Sequence, residues 1–330
     1  MTQIRSASAR YFWDLVGAWD RFWFTPVDPA TLSLVRILAG AMLFYTHLVW
    51  SLDLEAFFGA DGWLSPELMA EAQQGRYTWS YFWYLQSPAL LWGVHGAGLL
   101  VFLLLTLGWK SRLMSVLAYV VAVSYTGRIV PGAFFGLDKI NCMLAMYLML
   151  GPSGARYSLD AWLARRRREG EGGSEFQADQ DPRENAPSPE VSPSVGANVA
   201  IRMIQLHMCI IYLFSGLEKL LGVTWWDGSA VWLAAANLEY QTLDLTWLAN
   251  WPRLTALLTH ITVFWELFYV ALVWPRLTRP IVLLIAVAVH GGIAIALGLM
   301  TFGLVMLIGN LAFVPSELVR RVLERAHTSS

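Results

Sequence analysis

The sequence predicts an all-α polytopic integral membrane protein, a bundle of about eight transmembrane helices with both termini cytoplasmic. Three observations predict it: the composition, the lengths of the apolar runs, and the charges of the loops between them. Of 330 residues, 56% are hydrophobic and only 14% charged, where a soluble globular chain carries roughly a quarter charged. The mean hydropathy of +0.48 agrees. A net charge of −1 and the lack of an extended basic face exclude nucleic acid as an expected partner.

Residues 1–29 read as an interfacial segment. Phe12, Trp13, Val16, Trp19, Phe22 and Trp23 recur at helical spacing against Asp14, Asp20 and Arg21, which suits an amphipathic helix in the headgroup layer. Those charges, with no small-residue cleavage site after them, argue against a signal peptide. Apolar runs near 30–52, 88–108, 112–130, 134–150, 199–221, 250–274, 279–298 and 300–315 approach the roughly 20 residues that cross the hydrocarbon core. The expected organisation is four spans in 30–151, a linker over 152–198, four more spans in 199–315 and a tail over 316–330.

Basic residues fall in alternate connections. Arg5, Arg10 and Arg21 precede the first span, Lys110 and Arg112 follow the second, and Arg156 with Arg165 to Arg168 follow the fourth. Arg276 and Arg279 follow the sixth, and Arg320, Arg321 and Arg325 the last. The intervening loops carry Asp53, Glu55, Asp61, Glu67 and Glu71 with only Arg76, then Asp227, Glu239 and Asp244 with no base. The positive-inside rule therefore places both termini in the cytoplasm, at the inner membrane if the cell is bacterial. Residues 165–198, with an Arg run, Glu-Gly-Gly-Ser and Pro-Ser-rich stretches, cannot bury a core and read as a disordered cytoplasmic linker. Cys142 and Cys209 sit in apolar runs and read as small buried hydrophobes.

Ionisable residues inside the spans are the candidates for function, because burying a charge in a bilayer is costly. On the fifth span, Gln205, Met208, Tyr212, Ser215 and Lys219 share one stripe, with Gly216 beside it for close helix approach. Asp138 opens the fourth span, and Trp225 and Trp226 follow the fifth. Two readings of Lys219 stand. A lysine at a helix end can snorkel to the headgroups; a desolvated one can act as a base near neutral pH. On the sixth span, Thr255, Thr259, Thr262, Glu266 and Tyr269 form a second stripe. Counting depth at about 1.5 Å per residue puts Glu266 level with Arg36, Arg202 and His207, so a structural charge network of Arg36, His207 and Glu266 is expected. His260 and His290 lie near mid-depth and read as hydrogen-bonded packing residues. No spacing of the HExxH kind suggests a metal.

Five short motifs occur in order: Leu34-Val-Arg-Ile-Leu38, Gly108-Trp-Lys-Ser-Arg112, Tyr157-Ser-Leu-Asp160, Gly216-Leu-Glu-Lys-Leu220 and Trp226-Asp-Gly228. In this order the chain resembles the vitamin K-dependent γ-carboxylases and the HTTM (horizontally transferred transmembrane) bacterial proteins related to them. The resemblance covers residues 30 to 315. It implies that Lys219 is the base that deprotonates a reduced quinone of the vitamin K or menaquinone type, whose anion then reacts with oxygen. The chain departs from that pattern at Asp138, which stands where the carboxylases carry a functional histidine; Asp138 is nevertheless read as a catalytic helper, with Tyr212, Ser215, Trp225 and Trp226 around the substrate. The carboxylases have a large extracytoplasmic domain after their spans and this chain stops at Ser330, so quinol chemistry is expected rather than peptide carboxylation. The expected partner is a membrane lipid or quinol, with a membrane or exported protein as a further candidate. The competing class is a non-enzymatic membrane partner or transporter component in which Lys219 is one half of a structural ion pair.

Overall fold

The computed structural model of the chain describes residues 2–72, 78–128, 136–172 and 191–328. These fold into helices α1 (Thr2–Phe24), α2 (Ala30–Trp50), α3 (Leu54–Phe58), α4 (Pro66–Ala72), α5 (Pro88–Leu107), α6 (Ser111–Arg128), α7 (Gly136–Leu148) and α8 (Leu159–Gly172). Then follow α9 (Val195–Lys219), α10 (Val223–Trp226), α11 (Ala230–Ala235), α12 (Pro252–Leu272), α13 (Arg279–Ala296), α14 (Met300–Asn310) and α15 (Ser316–Thr328). Among the described residues the only extended pairing is an isolated bridge between Val27 and Ser194.

Every expected span contains a helix, and local chemistry sets the boundaries. Ser87 caps α5 by accepting from the Leu90 N–H, Pro88 occupies its first turn, and Gly108 ends it in the left-handed region at φ 73°. Ser194 caps α9 through the Ala197 N–H. Five helices, α2, α5, α9, α12 and α13, are long and apolar enough to cross a membrane. Residues Met300–Phe313 and Ser316–Arg325 qualify only as a pair, bent by 112°. The outward faces of α5, α12 and α13 are apolar: Leu100 and Leu103, Ile261, Phe264 and Phe268, and Ile281, Leu284 and Val287 are all exposed. Water would not tolerate so continuous an apolar surface. The chain is a multi-pass membrane protein.

One end of the bundle gathers the basic connections. Arg156 makes two 2.8 Å bonds to Asp28, and Arg320 lies 3.8 Å from the same carboxylate. The Thr31 hydroxyl meets Ser316, and the Arg202 guanidinium lies over the Phe22 and Trp274 rings. The start of α2, the 151–158 turn, the start of α9, the end of α12 and the start of α15 therefore share one end.

The expected linker over 152–198 is corrected in part. Residues 159–172 form α8, and its first turn is tied down by an Asp160 N–H donated to the Gly108 carbonyl. The disorder expected further along falls on residues 173–190, which lie outside the described residues.

The main core runs through α2, α7, α9, α12, α13 and α14 around Leu32, Val35, Leu144, Ile204, Met208 and Tyr269. Within it, α9 packs most extensively on α12 and α13 on α14. Gly216 decides how closely the first pair approaches: a Cβ there would stand 3.0 Å from the backbone nitrogen of Leu267. That contact also fixes the register of the two helices.

Candidate functional site

The polar stripe of α9 faces inward, with Gln205, Met208 and Tyr212 buried and Ser215 and Lys219 half-buried. Because α9 curls into its last turn at Lys219, the side chain folds back along its own helix rather than outward. Its Nζ donates to Ser215 Oγ at 2.7 Å and lies 2.7 Å from Glu266 Oε2 on α12. The Trp225 ring covers the amine from one side, 5.2 Å from ring centre to Nζ. Side-chain exposures of 21% for Lys219 and 8% for Glu266 make this a largely desolvated pair.

The expected pairing of Glu266 with Arg36 or His207 does not form. His207 Nδ1 bonds the Tyr147 hydroxyl at 3.0 Å. Arg36 donates through Nη2 to the Tyr157 carbonyl at 2.5 Å. The reason is register. Depth counting treats both helices as full spans that begin and end level with one another. In the structure Gly216 packs on Leu267, and Gly228 packs on Ala256. The end of α9 is thus level with the second half of α12, and α10 with the following turn runs back beside the first half. Lys219 lies deeper than its place at a helix end suggests, and Glu266 meets it there.

The Trp226-Asp-Gly228 turn closes over this end through backbone bonds. The Thr259 hydroxyl donates to the Gly228 carbonyl at 3.0 Å, and His260 Nε2 pairs with the Trp226 carbonyl at 3.2 Å. Gly228 sits at φ 82°, and any Cβ would strike Ala256. Asp227 accepts from the Ser229 hydroxyl and N–H at 2.6 and 2.8 Å, which holds its carboxyl below the usual carboxylate range. Its role is to shape the turn. Trp226 differs from Trp225: it is 59% exposed and spends its indole N–H on the Leu220 carbonyl, so only Trp225 walls the amine.

Asp138 occupies the first turn of α7, half-buried, and acts electrostatically on Cys142 one turn on. The bonds of Lys219 run instead to Ser215 and Glu266. Glu218, adjacent in sequence, points outward and is exposed.

Below Lys219 lies a network that residue spacing does not reveal. The Tyr212 hydroxyl bonds His290 Nε2 at 2.7 Å and accepts from Asn310 Nδ2 at 2.8 Å. Asn310 Oδ1 in turn accepts from the Tyr269 hydroxyl at 2.7 Å. All four side chains are buried and come from α9, α13, α14 and α12, so none is a sequence neighbour of another. His290 is hydrogen-bonded, as expected, but to Tyr212, which lies about two turns below the lysine on the same stripe. Asn310 also borders an apolar groove of about 670 Å³ between α2, α13 and α14, lined by Leu38, Met42, Leu283, Val287 and Leu304.

Three of the five sequence motifs converge at the opposite end. Asp160 accepts from the backbone N–H groups of Lys110 and Ser111 at 2.8 Å each and from the Ser111 hydroxyl at 2.9 Å. Its carboxylate thereby satisfies donors at the start of α6, as a capping side chain does. Gly108 lies against Arg36 and Ser158, where a Cβ would collide with both. A further buried group joins α2, α5 and α6: Ser51 Oγ bonds His95 Nε2 at 2.7 Å, and His95 Nδ1 bonds Tyr125. Comparison with known proteins returns no match to a family, a curated protein or a solved structure.

Proposed function

We propose that this chain is an HTTM-type membrane enzyme that deprotonates a quinol-like lipid, with Lys219 as the base. The observation that carries the reading is the Lys219–Glu266–Ser215 cluster under Trp225, a desolvated amine held at two points within a membrane bundle. Ionisable side chains inside a bilayer are costly, and proton relays are among the sites they mark. To act as a base Lys219 must first give up the ammonium proton that it shares with Glu266; its lone pair then takes the phenolic proton, the O–H bond breaks and its electron pair stays on the quinol oxygen. Glu266 then stabilises the ammonium that forms, and Ser215 keeps the Nζ in place. By the resemblance, the anion reacts with dioxygen to give an epoxide. A flat hydroquinone enters such a site from the hydrocarbon phase.

The same reading takes about eight spans with both termini cytoplasmic. The clustering of Arg156, Arg202 and Arg320 at one end of the bundle supports it through the positive-inside rule. Under it α1 is an interfacial helix whose exposed Phe12, Trp13 and Trp19 face the headgroups.

A second reading has one observation in its favour. Lys219 and Glu266 already form a complete pair between α9 and α12, as a structural clamp in a non-enzymatic partner or transporter component would. Oxygen uptake and epoxide formation by protein in nanodiscs separate the two, with reduced menaquinone or vitamin K hydroquinone as substrate and Lys219→Ala alongside. Turnover that vanishes in a folded variant establishes the base. Absence of turnover in wild type, with a sharp loss of stability in the variant, establishes the clamp.

A further inference from the structure

The hydrogen-bond inventory around Tyr212 determines where the proton of His290 resides. Asn310 Nδ2 donates to both the Met306 carbonyl and the Tyr212 hydroxyl. A carbonyl only accepts, so the amide orientation is settled, and both its hydrogens are used. Asn310 Oδ1 takes the Tyr269 proton. The Tyr212 hydroxyl, having accepted from Asn310, has a single proton left, and its remaining partner is His290 Nε2. In a fully satisfied network Nε2 accepts, which places the imidazole proton of neutral His290 on Nδ1.

That nitrogen has no hydrogen-bond partner among the described residues, although the residue is 4% exposed. A buried donor left unpaired is destabilising, more so where no water competes. Turning the ring away would break its bond to Tyr212. Tyr212 holds one edge, Trp265 and Phe302 pack on it at 6.1 and 6.2 Å between centroids, and Gly303 lets α14 press against the His290 carbonyl. His290 also lies within electrostatic reach of Lys219.

We propose that the Nδ1–H of His290 is a ligand-binding donor, which hydrogen-bonds a ring oxygen of the quinone or quinol handled by Lys219. This rests on the reading of Lys219 given above. It assigns the second polar anchor of the site: Lys219 meets one oxygen of the ligand, His290 an oxygen or carbonyl, and the Trp265 and Phe302 rings pack beside the ring system. Tyr212 acts through His290 as a positioning residue that sets the tautomer.

The test is quenching of tryptophan fluorescence by short-chain menaquinone in nanodiscs, since Trp265 lies beside the imidazole. An asparagine side chain carries its N–H near the place of Nδ1, and a glutamine carries its amide near the place of Nε2. The proposal expects saturable quenching of wild type, a Kd raised about tenfold in His290→Gln and a Kd within about threefold of wild type in His290→Asn. A purely structural histidine reverses this order, because His290→Gln preserves the bond to Tyr212; that result overturns the proposal. No saturable quenching of wild type overturns the quinone reading of the site and this proposal with it. An independent readout removes the lysine contact. With carbonyl-¹³C menaquinone, an infrared C=O band shifted down in Lys219→Ala from that in empty nanodiscs supports the bond, and an unshifted band there refutes it.

Discussion

Arg36 and Lys219 are both basic side chains carried on helices long enough to span, yet the two ends of the bundle use them in opposite ways. Arg36 is fully buried and is held by main chain, the Tyr157 carbonyl, at a turn that Asp160 locks to Lys110 and Ser111. Lys219 is partly open and is held by side chains, Ser215 and Glu266, the second from another helix. Backbone partners cannot exchange without unfolding the turn. Side-chain partners can release an amine, accept a proton and return. The Arg36 end is built as a clasp; the Lys219 end is, on the function proposed above, a site.

The largest effect that separates the two ends is kinetic. Lys219→Ala should lower quinol oxygenation by about 10²–10⁴-fold while leaving the other end intact; a variant within twofold of wild type would remove the lysine from the chemistry. Next comes Asp160→Ala, which orphans two N–H groups and a hydroxyl. We expect a loss of about 2–3 kcal/mol, read as a lower midpoint of thermal unfolding in detergent, with quinone affinity retained in the folded fraction. An unchanged midpoint would refute the clasp.

A change at Gly216 tests the register on which the site depends. Gly216→Val must push Leu267 away, costing about 1–3 kcal/mol and lengthening the Lys219–Glu266 contact. Activity should fall further than the folded fraction does, and equal losses of both would show that the close approach serves packing alone. The smallest effect is expected one residue from the lysine. Glu218 is exposed, so Glu218→Gln should alter stability by less than about 0.5 kcal/mol and leave turnover unchanged, in contrast to Glu266→Gln. Equal damage from both would show that carboxylate charge near Lys219 matters more than the α9–α12 contact.

Much of this was legible along the chain. The inward stripe of Tyr212, Ser215 and Lys219 follows from 100° per residue, and the part of Gly216 as a close-approach point follows from its place beside that stripe. The caps at Ser87 and Ser194 and the stop at Gly108 are local chemistry. The partner of Lys219 was not legible, because depth counting from helix ends placed Glu266 level with Arg36 and His207. Trp225 and Trp226 look equivalent in sequence; only the docking of their turn on α12 turns one ring to the amine and the other outward. The Tyr212–His290–Asn310–Tyr269 network leaves no signal in spacing, since its members lie on four helices.

The sequence by itself determined what depends on neighbours within a turn or on composition: a helical chain rich enough in apolar residues to live in a bilayer, basic residues in alternate loops, and an ionisable stripe on α9. The tertiary structure alone decided which charge meets which, because the axial offset between two packed helices is set where their surfaces fit most closely. Here that place is Gly216 against Leu267, and it carries Lys219 to Glu266.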